Sequence, residues 1–136
     1  MGEKIKILLV DDDVDFIDLN KAVLENQGFY VATAFSGREA MEKVRFEKPN
    51  LIVLDLMMEK HDTGFTFAKT VKADPLYKDI PILMLTAVSV ETGYDFSQEL
   101  DGYWMKTDDY ASKPLLPDEL VKKVNSLLER ARKEAG

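Results

Sequence analysis

Apolar residues in this chain gather into short runs, and between the runs they recur every three or four positions. Ile5 to Val10, Phe29 to Ala34, Leu51 to Leu54 and Ile80 to Leu85 are such runs, rich in branched and aromatic side chains, and read as strands. A shorter segment through Tyr110-Ala111-Ser112 is read as a fifth. Helical spacing follows each of the first three. Phe16, Leu19, Val23 and Leu24 share one face, with Gly28 suited to the C-terminal cap. Ala40, Val44 and Met41 share another, opened by Ser36 with Glu39 three places on, a capping-box signature. Phe65, Ala68, Val71 and Lys72 mark a third helix closed by Asp74-Pro75. The last helix starts at Pro117-Asp118-Glu119, with proline in the first turn and acids at the positive end of the dipole. Its buried stripe is Leu120, Val121, Val124, Leu127 and Leu128.

Strand and helix alternate throughout, which implies βαβ crossovers and a parallel sheet covered on both faces. Residues 88–107 fit no such unit. With Gly93, Gly102, Tyr94, Phe96, Tyr103 and Trp104 they predict a long aromatic loop with at most a short helix near Glu99.

The run ending at Asp55 is the one with chemistry at its tip. A carboxylate at the rim of an apolar strand is costly to desolvate and needs cationic or hydrogen-bonding company. Other strand ends offer it: Asp11-Asp12-Asp13 after the first, Thr86 after the fourth and Lys113-Pro114 after the fifth. In one parallel sheet these gather at the carboxyl edge, where open α/β sheets place their ligands. Carboxylates brought that close repel by about 4 kcal/mol per close pair at an intermediate dielectric, so a cation must offset them. Hard oxygen donors favour Mg²⁺ over zinc. Asp55 is also a carboxylate able to attack phosphorus, in a transfer that needs positioning and charge neutralisation above all.

The length, 136 residues, suits one domain with a single core. With 18 basic and 25 acidic residues the net charge is −7, which argues against direct contact with nucleic acid. Absent cysteines exclude disulfides and thiolate metal sites. No signal peptide or membrane-spanning run is legible, so the expected location is cytoplasmic.

Asp11-Asp12, Asp55, Thr86-Ala87 and Lys113-Pro114, in this order and each at the end of its own strand, resemble the receiver domain of two-component response regulators, in its chemotaxis-regulator-like form. The resemblance covers nearly the whole chain, 1–136, as a single receiver domain. It implies a flavodoxin-like, doubly wound five-stranded sheet of order 2-1-3-4-5 with helices on both faces, here with an irregular fourth-helix region. It also implies a phosphoacceptor that catalyses at most its own phosphorylation and dephosphorylation, with Asp55 accepting a phosphoryl group from a sensor histidine kinase. By the family pattern Asp12 binds Mg²⁺ directly, Asp11 largely through water, Asp55 by its free oxygen and Met57 by its backbone carbonyl. Lys113 pairs with the phosphoryl oxygens, Thr86 donates its hydroxyl to them, and Tyr110, three residues before Lys113, is the switch aromatic. The implied partners are the kinase and an unidentified downstream protein, with the chain a monomer or a phosphorylation-dependent dimer.

The chain departs from the family in three places. Glu59 holds the usual proline position and Gly64 arrives one residue late. The span from Thr86 to Lys113 is longer than usual, which predicts an output surface built from Tyr94, Phe96, Tyr103 and Trp104 with the last helix. Met57 and Val88, apolar where receivers flank the phosphate, offer no group to orient an attacking water and predict a long-lived acyl phosphate; rapid loss of label, unchanged by polar substitutions at both places, would refute this. Asp13 is expected to cap the first helix or face solvent, and His61 to be an exposed loop residue rather than a phosphorelay site. Two other functions compete. A haloacid-dehalogenase-like phosphatase uses Asp11-x-Asp13, Thr86 and Lys113 but leaves Asp55 without a role and lacks a further acidic strand end. A pseudo-receiver scaffold leaves the whole acid set unused.

Overall fold

The computed structural model describes residues 4–56, 63–86 and 108–135. The expectations for Met57, Val88, Glu59, His61 and the aromatic segment 88–107 fall outside the described residues.

Five strands form one sheet: β1 (Lys6–Val10), β2 (Tyr30–Ala34), β3 (Leu51–Asp55), β4 (Ile82–Thr86) and β5 (Asp109–Ser112). All pair in parallel, as the alternation of strand and helix predicts, and in the order β2-β1-β3-β4-β5 that the family resemblance implies. Alternation along each strand divides the core in two. Ile7 and Leu9 of β1, Val53 of β3 and Leu83 and Leu85 of β4 pack with α1 (Val14–Asn26) and with the C-terminal helix (Pro117–Ala135). Leu8, Val10, Ile52, Leu54 and Met84 face the other way, onto α2 (Gly37–Glu47) and α3 (Thr63–Ala73). Both layers are apolar, so the central strands read as continuous hydrophobic runs.

The helix ends follow the expected chemistry. Ser36 Oγ accepts from the Glu39 N–H at 3.1 Å, while Glu39 Oε1 accepts from Phe35, one residue further back than in a strict capping box. Gly28 follows α1 with φ +97°, a conformation that favours glycine. Gly64, late against the family pattern, sits where a Cβ would lie 2.6 Å from Leu56 Cα, so the backbone of α3 approaches the end of β3 too closely for any side chain. In the C-terminal helix Leu120, Val124 and Leu127 are fully buried, with Val121 and Leu128 packed beside them.

One expected face is corrected. The buried stripe of α1 is Ile17, Asn20 and Leu24, not one containing Leu19, which is 54% exposed. An asparagine stands on the inner face at a turn where an apolar residue marks the pattern, and its Nδ2 is satisfied by the Phe16 carbonyl at 2.9 Å.

Candidate functional site

The order β2-β1-β3 makes the chain reverse direction across the sheet between β1 and β3, and open α/β sheets leave a crevice there beyond the strand ends. Asp11 follows the last residue of β1, and its N–H bonds to the Ala34 carbonyl of β2 at 3.1 Å. Asp55 is the last residue of β3, in register with Leu85. Thr86 ends β4 opposite Ser112, which ends β5, and Lys113 comes next. One edge of the sheet therefore holds all four positions.

Asp11, Asp12 and Asp55 each direct a carboxylate oxygen into one space, and these oxygens lie within 4.8 Å of one another. Asp11 and Asp55 are buried, and Asp12 is exposed at the mouth of this space. The Lys113 ammonium lies 2.7 Å from Asp11 Oδ2 and 3.5 Å from Asp55 Oδ2. The second oxygen of Asp11 accepts from the Asp13 N–H at 2.9 Å. Asp13 itself turns away and caps α1, its Oδ1 accepting from the Asp15 and Phe16 N–H groups at 3.0 and 3.2 Å. Asp13 thus takes the capping role expected of it. The acid set is 11, 12 and 55, not the 11 and 13 of the phosphatase reading.

Electrostatics follow from one cation shared among these acids. Burial pushes the Asp11 carboxyl up to about 6, with the charge of Asp55 adding to it, against the hydrogen bonds from Lys113 and Asp13. Burial by itself pulls the Lys113 ammonium down, but its hydrogen bond to Asp11 and the charges of Asp11 and Asp55 outweigh that and leave it raised. Both groups hold their protons more tightly, Asp11 chiefly through burial and Lys113 through its acidic partners, and the Asp55 charge adds to both shifts. The site is net negative and favours added positive charge, whether a proton or a metal ion. Three carboxylates within reach of one point are the hard, oxygen-only donor set that suits Mg²⁺ or a similar divalent cation.

A sequence profile described as the response regulator receiver domain matches residues 7–125. The chain belongs to this family. Among curated receiver-containing relatives, it is 39% identical to the probable transcriptional regulator ycf27 of Cyanophora paradoxa over 127 residues, 93% of this chain and 49% of that protein. It is 41% identical to the alkaline phosphatase synthesis transcriptional regulatory protein PhoP of Bacillus subtilis over 126 residues, again 93% of this chain and 49% of that protein. The receiver thus spans about half the length of the curated relatives it matches. In structure it is similar to the chemotaxis protein CheY4 of Vibrio cholerae, with TM-score 0.78, 32% identity and coverage of 92% of this chain and 99% of that one. A CheY-like receiver domain protein of Methanospirillum hungatei gives TM-score 0.79 at 29% identity, covering 97% and 99%.

Two features of this receiver were not singled out by sequence reasoning. Phe16, read only as a core position of α1, places its ring 4.5 Å from the Lys113 ammonium. Lys72, read as facing the core, forms a fully buried ion pair with Asp108 at 2.8 Å and donates to the carbonyls of Lys78 and Ile80 at 3.1 and 2.7 Å. Asp108 Oδ1 also accepts from the Ile82 N–H at 2.9 Å. A lysine inside an apolar helical stripe was the available signal for that pair; for Phe16 the sequence offers none. Tyr110 is half-buried against the core between the sheet and α2 and α3. Among the described residues no helix is long and apolar enough to cross a membrane.

Proposed function

We propose that the chain is a phosphorylatable signalling receiver whose Asp55 accepts a phosphoryl group, with Mg²⁺, from a sensor histidine kinase. The observation that carries this is the meeting of the Asp11, Asp12 and Asp55 carboxylates within 4.8 Å, with the Lys113 ammonium 3.5 Å from Asp55. An Asp55 oxygen attacks phosphorus, and the O–P bond forms as the donor's P–N bond breaks, or its P–O bond in a small acyl phosphate. The departing donor keeps the bonding pair. Asp12 and Asp55 would hold the metal ion, and Asp11, both of whose oxygens are engaged in hydrogen bonds, would reach it through water; the family pattern adds the Met57 backbone carbonyl as a further ligand. Bound there, Mg²⁺ neutralises charge on the transferring group. Lys113 moves its second hydrogen bond from Asp55 to a phosphoryl oxygen, Thr86 supplies a hydroxyl, and Tyr110 turns inward as Thr86 moves.

Residues 1–136 act as one receiver domain in the cytoplasm, as a monomer or a phosphorylation-dependent dimer. The downstream partner is a protein. Relatives bear the names of transcriptional regulators, and the net charge of −7 leaves DNA contact to other proteins or other segments. Incubation with Mg²⁺ and acetyl phosphate should add one phosphoryl group by intact mass to the wild type and none to Asp55→Asn. Equal labelling of both chains, or steady turnover of a generic phosphate ester by the wild type, would contradict the proposal.

A further inference from the structure

The Lys113 ammonium has three N–H bonds to direct. One points at Asp11 Oδ2, 2.7 Å away, and a second lies towards Asp55 Oδ2 at 3.5 Å. The remaining side faces an aromatic ring, since the nitrogen sits 4.5 Å from the centroid of Phe16, within the range of a cation held on a ring face. The backbone that carries the ring is held at both its polar groups. The Phe16 N–H donates to the capping carboxylate of Asp13 at 3.2 Å, and its carbonyl accepts from Asn20 Nδ2 at 2.9 Å. Ile17, the next residue, is buried in the core and sets the rotation of the helix. Phe16 itself packs against the same core from a half-buried position.

We infer that Phe16 is a positioning residue for phosphoryl acceptance: its ring face holds the Lys113 ammonium over the Asp11–Asp55 pair and keeps it from swinging into water. The inference rests on the function proposed above. A four-carbon stem with 22% of its side chain exposed has an outward alternative, in which the ammonium is hydrated and far from Asp55. The ring closes that side without competing for either carboxylate or for the phosphoryl oxygens, because it attracts the cation and has no N–H or O–H to donate. The cation can then pass its second hydrogen bond from Asp55 to an arriving phosphoryl oxygen while still tethered to Asp11. An aliphatic side chain of the same bulk fills the space and lacks the attraction.

The test compares labelling rates with acetyl phosphate and Mg²⁺ for wild type, F16L and F16W, with thermal midpoints recorded alongside. F16L should slow labelling about fivefold and F16W should restore it, as expected for an attraction of ordinary cation–π strength. Phenylalanines carrying one, two and three ring fluorines at position 16 keep the shape and drain the ring face, and should slow labelling in graded steps. Independently of phosphorylation, the Lys113 ε-methylene protons should show an upfield ring-current shift in the wild type that F16L abolishes. F16L labelling at the wild-type rate, F16W falling as far as F16L, or a flat fluorine series would overturn the inference. A wild type that shows the ring-current shift yet takes no label would instead overturn the functional reading, and with it any positioning role.

Discussion

Asp11 shows at the level of one residue how the site sets its acids against stability. Burial above all pushes its carboxyl up from the ordinary 3.8 to about 6. Between those values the folded chain keeps a proton that the unfolded chain releases, so stability falls as pH rises from about 4 to above 6 and is level beyond. The raised Lys113 acts in the opposite part of the scale: its contribution is complete below the ordinary lysine range and is lost only at strongly alkaline pH. Taken alone, Asp11 should cost on the order of 2 to 3 kcal/mol at neutral pH. Asp11→Asn should therefore be more stable than wild type at pH 7.5 in chelator, and the gain should shrink towards pH 4.5. Urea midpoints of both chains at the two pH values check this, and an unchanged difference would contradict the role given to burial. Added Mg²⁺ should stabilise the wild type more than Asp11→Asn, because binding to the native state alone raises its stability.

At the scale of elements, the opposite edge of the sheet is locked by chemistry of another kind. Lys72 near the end of α3 and Asp108 just before β5 pair with both side chains fully buried, and their remaining hydrogen bonds reach the segment entering β4. Burial pulls the Lys72 ammonium down, and only the charge and hydrogen bond of Asp108, aided by Asp79, oppose it. Removing one partner strands the other, so Lys72→Met should cost about 3 to 5 kcal/mol. Denaturant unfolding measures this, and a loss below about 1 kcal/mol would mean that Asp108 finds water instead. The pair also shows where sequence patterns stop. Lys72 fell on the predicted inner stripe of α3, but its partner lies 36 positions later in the chain and only the folded sheet brings them together. Asn20 misled in the converse way: a polar residue on the buried face of α1 shifted the apparent apolar stripe to Leu19. Where each inner position is apolar, as in the C-terminal helix, pattern and structure agree.

For the molecule as a whole, the ends of β1, β3 and β4 were legible because each pairs a hydrophobic run with an abrupt polar tip, while the short β5, Asp109–Ser112, was legible mainly through the Lys113-Pro114 that follows it. A parallel sheet has one carboxyl edge, so runs ending in Asp11, Asp55, Thr86 and Lys113 could converge nowhere else. The sheet order, with β1 between β2 and β3, came from family resemblance and not from periodicity. What remained hidden was orientation: that Lys113 bonds Asp11 more closely than Asp55, and that an aromatic ring lies beneath it, depend on side-chain geometry that spacing does not encode.

The central claim is that one atom set, the Asp55 carboxylate, receives the phosphoryl group. Borohydride reduction of the labelled protein converts an aspartyl phosphate to homoserine, and peptide mass mapping locates the converted residue. Homoserine is expected at position 55, dependent on Mg²⁺ and lost from Asp12→Ala. Conversion at Asp11, Asp12 or Asp13, or label resistant to borohydride, would contradict it.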